Sequence, residues 1–235
     1  MGPAILVGLF VIGVLSRLSG VSLVEWICLG LIALTLHELG HALAFRHFGI
    51  ASSIEFWALG GLTVPDDGEA AMRLPDRDVV VVALAGPTVS LVVGLISLAI
   101  LLARRQIAGD GPASIDAPAF LWLFVNLGWG IFNLLPIASL DGGSALRHLL
   151  GALFPGRAGV ILGVSANLAA SIILAALAFE VGQLYIAFIA ILFGLASPGL
   201  YVQLFEALRP GRRVRTGGEP LARPAEPGDR TMPPG

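Results

Sequence analysis

Apolar runs long enough to cross a bilayer recur along this chain, and no other feature limits its fold as strongly. Hydrocarbon offers a backbone amide no partner, so a crossing requires about 20 apolar residues in a helix, or a closed barrel. Five segments reach that length: roughly Val21–Phe45, Val79–Ala103, Ala117–Leu140, Ala158–Phe179 and Val181–Phe205. The opening run Ala4–Leu15 is short, but Arg17 can snorkel and extend it through Leu18, and it lacks the basic leader and small-residue cleavage site of a signal peptide. The expected fold class is an all-α polytopic membrane protein of about six transmembrane helices. The last two form a hairpin around Glu180 and Gly182.

Composition points the same way. Hydrophobic residues make up 56% of the 235, charged residues 13%, and mean hydropathy is +0.88, unlike a soluble domain. The 14 basic residues are all arginine, against 16 acids and a net charge of −2. That leaves no basic field for nucleic acid, and the apolar content excludes a disordered chain. The single cysteine, Cys28, lies inside an apolar run, so neither a disulfide framework nor a thiolate metal cluster is expected. With a cytoplasmic N-terminus, every arginine except Arg17, Arg104 and Arg105 falls on the inner side. The positive-inside rule therefore predicts a multi-pass protein of the cell membrane with both termini cytoplasmic. Beyond Leu208 the sequence is rich in Pro and Gly with charges of both signs, too little apolar surface to offset chain entropy. The expected organisation is a membrane domain over 1–208 and a disordered cytoplasmic tail over 209–235, with no room for an appended globular domain.

Charged groups at membrane depth are costly and mark function. They gather in the second apolar segment as His37-Glu38-Leu39-Gly40-His41. On a helix, His-Glu-x-x-His puts both imidazoles on one face a turn apart, where they can chelate one Zn2+, with Glu38 placed to act on an activated water. The plain alternative, a polar helix end with solvated side chains, fits poorly within so apolar a run.

Two histidines leave a catalytic zinc one protein ligand short. The fourth segment ends Asn133-Leu134-Leu135-Pro136-Ile137-Ala138-Ser139-Leu140-Asp141-Gly142-Gly143. Pro136 removes a helical hydrogen bond and the paired glycines relax the chain, so the segment can unwind and aim the Asp141 carboxylate inward. The competing reading has Asp141 cap a helix starting near Ser144. Depth favours the ligand: segments two and four cross in the same direction and carry their motifs toward the same end. His47, near the boundary, suits an interfacial role, and His148 stands as a spare ligand.

Taken together, these residues resemble the site-2 proteases, the intramembrane zinc metalloproteases of peptidase family M50. The resemblance rests on the His-Glu-x-x-His around Glu38, the Asn-x-x-Pro-x-x-x-Leu-Asp-Gly from Asn133 to Gly142, and Ala85-Gly86-Pro87 in the third segment. It is to a compact form without a PDZ or CBS domain. The family pattern often reads Ala-Gly-Pro-x-x-Asn, where this chain has Ser90. The resemblance implies His37, His41 and Asp141 as ligands of one catalytic Zn2+ and Glu38 as the catalytic base.

The implied reaction is hydrolysis of a peptide bond in or beside a transmembrane segment of another membrane protein, as in regulated intramembrane proteolysis. Asn133 is a candidate for an extra hydrogen bond to substrate. Residues 54–65 read as two short strands around a Gly60-Gly61 turn stopped by Pro65. Family members place a membrane-associated β-hairpin there, so the two glycines join the candidate substrate-binding residues. An ordinary interfacial loop anchored by Phe56 and Trp57 is the alternative. A zinc or proton-coupled transporter is the rival function; it predicts liganding groups at graded depths rather than one level. The expected partners are a transmembrane protein substrate and the lipid bilayer, with no nucleic acid; the substrate would be recruited through the membrane core, a loop or a partner protein.

Overall fold

A computed structural model of the chain describes residues 4–58, 60–108 and 117–195, together with residues 201, 204, 205 and 208. In chain order, α1 (Ala4–Leu15) and α2 (Gly20–His47) precede a hairpin of β1 (Ser52–Trp57) and β2 (Gly60–Pro65). Then come α3 (Gly68–Met72), α4 (Asp76–Ala108), α5 (Ala117–Leu123), a π-helical turn (Phe124–Gly128) and α6 (Trp129–Asn133). After a loop follow α7 (Asp141–Leu153), α8 (Arg157–Glu180) and α9 (Leu184–Leu195). Helices α2, α4 and α8 are long and apolar enough to cross a membrane, and α1 and α9 are shorter apolar helices. Large apolar side chains such as Ile172, Leu177 and Phe188 are more than half exposed, as befits surfaces solvated by lipid. The chain is an integral membrane protein.

Close helix approach depends on small residues, as is usual where lipid removes the hydrophobic drive for association. Helix α2 packs chiefly on α4, α4 on α7, and α8 on α9. At the first crossing a Cβ on Gly40 would lie 2.7 Å from the carbonyl oxygen of Ala85, so only glycine permits the spacing. Between α8 and α9 the packed layer is Ala175, Ala178, Ala187 and Ala190. Helix α1 lays Ile5 and Leu9 on Leu34 of α2, with Phe56 of β1 against the same cluster. The indole N–H of Trp26 donates to the Leu9 carbonyl at 2.9 Å.

The mostly helical architecture with a hairpin is as expected, and three details differ. First, the hairpin begins at Ser52 rather than residue 54, and Trp57 pairs with Gly60. The chain therefore reverses before the glycine pair, and Gly60 and Gly61 open the second strand instead of forming the turn. Gly61 has no positive φ, and at 158° Gly60 is nearly extended; what the strand demands of Gly61 is space, as shown below. Second, the fourth expected segment is helical only to Asn133. Residues 134–140 form a loop, since Pro136 has no N–H to give and Ile137 N–H turns back onto the Leu135 carbonyl at 2.8 Å. Third, the stretch expected as an inner loop after Leu140 carries α7, which starts at Asp141 rather than near Ser144. Helix α9 is described to Leu195. Most of the remainder of the span expected to reach Phe205, and the whole tail over 209–235, lie outside the described residues.

Candidate active site

Three elements meet around α2. His37, Glu38 and His41, on its C-terminal half, are buried inside the protein. Asp141 at the start of α7 turns its Oδ2 to 3.0 Å from His37 Nε2 and 3.4 Å from His41 Nε2, while the two Nε2 atoms are 3.3 Å apart. The donors thus form a nearly equilateral triangle. A tetrahedral ion with ligand distances of about 2.0–2.1 Å spaces its donors by about 3.3 Å, so the residues present fit one such ion. His37, Glu38 and His41, with ligand atoms within 4.8 Å of one another, form a group that could hold a metal ion in its own right.

Each imidazole is held from behind. His41 Nδ1–H donates to the carbonyl of Val82 in α4 at 2.7 Å, which fixes the tautomer and leaves the Nε2 lone pair facing the triangle. His37 Nδ1 meets the hydroxyl of Ser90, two turns further along α4, at 3.0 Å. Gly86 makes room between them: a Cβ there would collide with the His41 ring. Gly86 is thereby the surface on which the His41 ring rests.

The hairpin covers Glu38. Thr63 Oγ1 lies 2.8 Å from Glu38 Oε2 and 3.0 Å from the Glu38 carbonyl, so its one proton is shared between them. A Cβ on Gly61 would strike Glu38 Cγ and lie 2.7 Å from Oε1. Strand β2 is therefore seated directly on the glutamate, and only a residue without a side chain fits at 61. Beside it opens a cavity of about 450 Å³, lined among others by Glu38, Trp57, Gly60, Asn133 and Asp141.

Of the residues singled out from sequence, the structure brings His37, Glu38, His41, Asp141, Asn133, Gly60 and Gly61 to this one cavity. Asn133 spends its Nδ2–H on the Trp129 carbonyl in its own helix at 3.1 Å. The other two histidines are elsewhere: His148 pairs through Nδ1 with Asp76 Oδ1 at 2.8 Å, and His47 closes α2 against the Phe48 ring. Thr63, Val82 and Gly86 were given no part in the site from sequence. Thr63 left a faint signal, as a polar residue among apolar neighbours on a predicted strand. Ser90 left a clearer one, standing where the resembling pattern has asparagine.

Several membrane helices, a hairpin and a buried His-Glu-His group that could hold a metal ion define an integral membrane protein with an internal candidate site. The profile of Peptidase family M50 matches residues 26–108. Rip3 of Mycobacterium tuberculosis is 37% identical over 123 residues, which cover 51% of this chain and 29% of that protein. The Zinc metalloprotease MJ0392 of Methanocaldococcus jannaschii is 30% identical over 120 residues, 51% of this chain and 32% of that protein. The matches thus span less than a third of the length of these curated relatives. The solved Site-2 Protease from Methanocaldococcus jannaschii superposes with a TM-score of 0.58 at 21% identity, over 83% of this chain and 87% of that one, and shares the fold. Residues 26–108 are thus similar to peptidase family M50, and the chain shares the fold of a solved site-2 protease.

Proposed function

We propose that this chain is an intramembrane zinc metalloendopeptidase that hydrolyses a peptide bond within or beside a transmembrane segment of a membrane-protein substrate, with His37, His41 and Asp141 holding one zinc ion. The observation that carries the reading is the convergence of three donor atoms 3.0–3.4 Å apart beside a buried glutamate and an open cavity, all at one level. When bound, zinc would lower the pKa of a water to about 7 and act as a Lewis acid toward the scissile carbonyl.

The protein residues divide the rest of the work. Glu38 is the base: Thr63 engages Oε2, which leaves Oε1 to take a proton from the attacking water and return it to the departing amine. Asp141 and the second-layer partners of the two histidines keep the donors aimed. Asn133 lines the cavity and is suited to donate to the substrate backbone if its amide leaves the Trp129 carbonyl. Strand β2 also borders the cavity, and among the described residues the sheet is two-stranded, leaving each strand an unpaired outer edge. An unwound substrate segment added there would gain main-chain hydrogen bonds with little demand on its sequence. The placement of the protein in the cell membrane with both termini cytoplasmic, and the assignment of 209–235 as a tail outside the catalytic unit, belong to this reading and rest on arginine distribution and composition.

The test is to reconstitute the protein in liposomes with a panel of single-span membrane proteins and compare it with Glu38→Gln. Cleavage that the variant lacks while retaining zinc supports the protease. Zinc or proton flux with no cleavage, unaffected by Glu38→Gln, would establish the transporter instead.

A further inference from the structure

Asn167 lies in the middle of α8 and is 1% exposed. An asparagine buried among membrane helices needs partners for both ends of its amide. One is the backbone of the loop between α6 and α7. Pro136 ends the helix there, and the freed N–H groups must be satisfied in surroundings that offer little water. Leu134, Leu135, Ile137 and Leu140 find carbonyls within their own segment. Ala138 does not; its N–H donates to Asn167 Oδ1 at 2.8 Å. The other end of the same amide donates from Nδ2 to the Gly194 carbonyl of α9 at 2.9 Å, which the Tyr201 hydroxyl also reaches at 2.6 Å. Beside it, Ser139 Oγ donates to the Phe193 carbonyl at 2.9 Å. One side chain on α8 therefore ties a broken stretch of backbone to α9. Asp141 follows three residues after the tied amide.

We propose that Asn167 is a positioning residue for the metal site: by fixing the Ala138 amide it sets where the Asp141 carboxylate stands relative to His37 and His41. The proposal rests on the reading of Asp141 as a metal ligand. It also gives a reason for an asparagine in this span, since the loop that delivers Asp141 has an amide that its own segment does not satisfy.

The test uses the full chain in detergent micelles and measures zinc affinity by competition with a chromogenic chelator, and the visible spectrum of the Co2+-substituted protein. Asp141→Ala checks the underlying reading and should weaken zinc binding by roughly 100-fold or more. Asn167→Leu should weaken it by roughly 10–100-fold and change the intensity or position of the Co2+ bands, as loss of an outer partner does elsewhere. Asn126→Leu is the matched control. Asn126 is equally buried, but its amide donates only to Trp122 in its own segment, so its removal should leave affinity and spectrum unchanged. Should Asn167→Leu fail to fold, Asn167→Ser, which is polar but too short to reach Ala138, reads the same two quantities. Unchanged affinity and spectrum in the Asn167 variants, while Asp141→Ala loses zinc, would overturn the proposal and spare the ligand assignment. Equal losses in Asn126→Leu, or collapse of both Asn167 variants, would also overturn it, since the residue would then serve only the fold. Native affinity in Asp141→Ala would instead remove the reading beneath it.

Discussion

Ser90 Oγ stands 3.0 Å from His37 Nδ1, across the interface between α4 and α2, and the serine is almost wholly buried. For Nε2 to present a lone pair, Nδ1 must carry the proton, and the serine oxygen is then its acceptor. Ser90→Ala leaves that N–H unpaired in an apolar interior and frees the ring to rotate. Zinc affinity should fall roughly 10–100-fold with the fold intact, measured by chelator competition on the purified variant. Ser90→Asn would restore a polar partner but must be squeezed in, because a Cβ on the facing Gly130 would already lie 3.2 Å from the serine Cβ. The cost of such overpacking, about 1–3 kcal/mol, should show as a lower melting temperature than that of Ser90→Ala.

Strand β2 controls Glu38 by contact and by hydrogen bond. Gly61→Val should push the glutamate side chain aside, because the space its Cβ would need is filled by Glu38 Cγ and Oε1. Zinc content is expected to stay normal and cleavage to become undetectable. The milder Thr63→Val removes one hydrogen bond to a charged group, worth about 1.5–3 kcal/mol. It should slow turnover roughly 10–100-fold with little change in KM, and Thr63→Ser should recover most of the loss. If Gly61→Val cleaves normally while substrate crosslinking to residues 54–65 is also unchanged, the hairpin is a membrane anchor and neither clamps Glu38 nor binds substrate.

How much of this was readable beforehand depends on the range of each contact. The His37-Glu38-His41 group was legible because its members are one helical turn apart, a spacing that sequence states directly. The break after Asn133 was legible through Pro136, although it begins seven residues before the expected end of the segment at Leu140. Ser90 with His37, Thr63 with Glu38, and Ala138 with Asn167 join positions 53, 25 and 29 residues apart. A single sequence holds no record of such pairings. Glycine was misread for a related reason: at 61 a turn and a close approach call for the same residue, and only the tertiary packing distinguishes them.

Removing the metal should be felt by the whole protein, since the three donors come from α2 and from α7, both of which pack on α4. A ligand held at 1,000 times its Kd stabilises the native state by about 4 kcal/mol. Treatment with a strong chelator should therefore lower the melting temperature in detergent, and added zinc should restore it. The His37→Ala, His41→Ala double variant is expected to melt at one temperature with or without chelator. A chelator effect of full size in that variant would place the stabilising ion somewhere other than this triangle.

The final prediction concerns how Asp141 is delivered. Helix α7 begins so close under the preceding loop that a Cβ on Gly143 would collide with the Ile137 carbonyl and lie 2.7 Å from the Ala138 nitrogen, while one on Gly142 would lie 2.7 Å from the Leu135 carbonyl. Neither glycine has a positive φ, so their role is close approach rather than the chain relaxation their pairing suggests. Backbone atoms cannot yield as a flexible side chain can, so Gly143→Ala must move α7 away from the loop, and Asp141, on the first turn of that helix, moves with it. Small displacements matter here because the donor triangle has edges of only 3.0–3.4 Å. Gly143→Ala should lower zinc affinity at least as much as Ser90→Ala does. Gly151→Ala, on the same helix with open space at the Cβ, should bind zinc like the native chain. Isothermal titration of the zinc-free proteins compares the two directly, and equal affinities would mean that the start of α7 tolerates a side chain without disturbing its carboxylate.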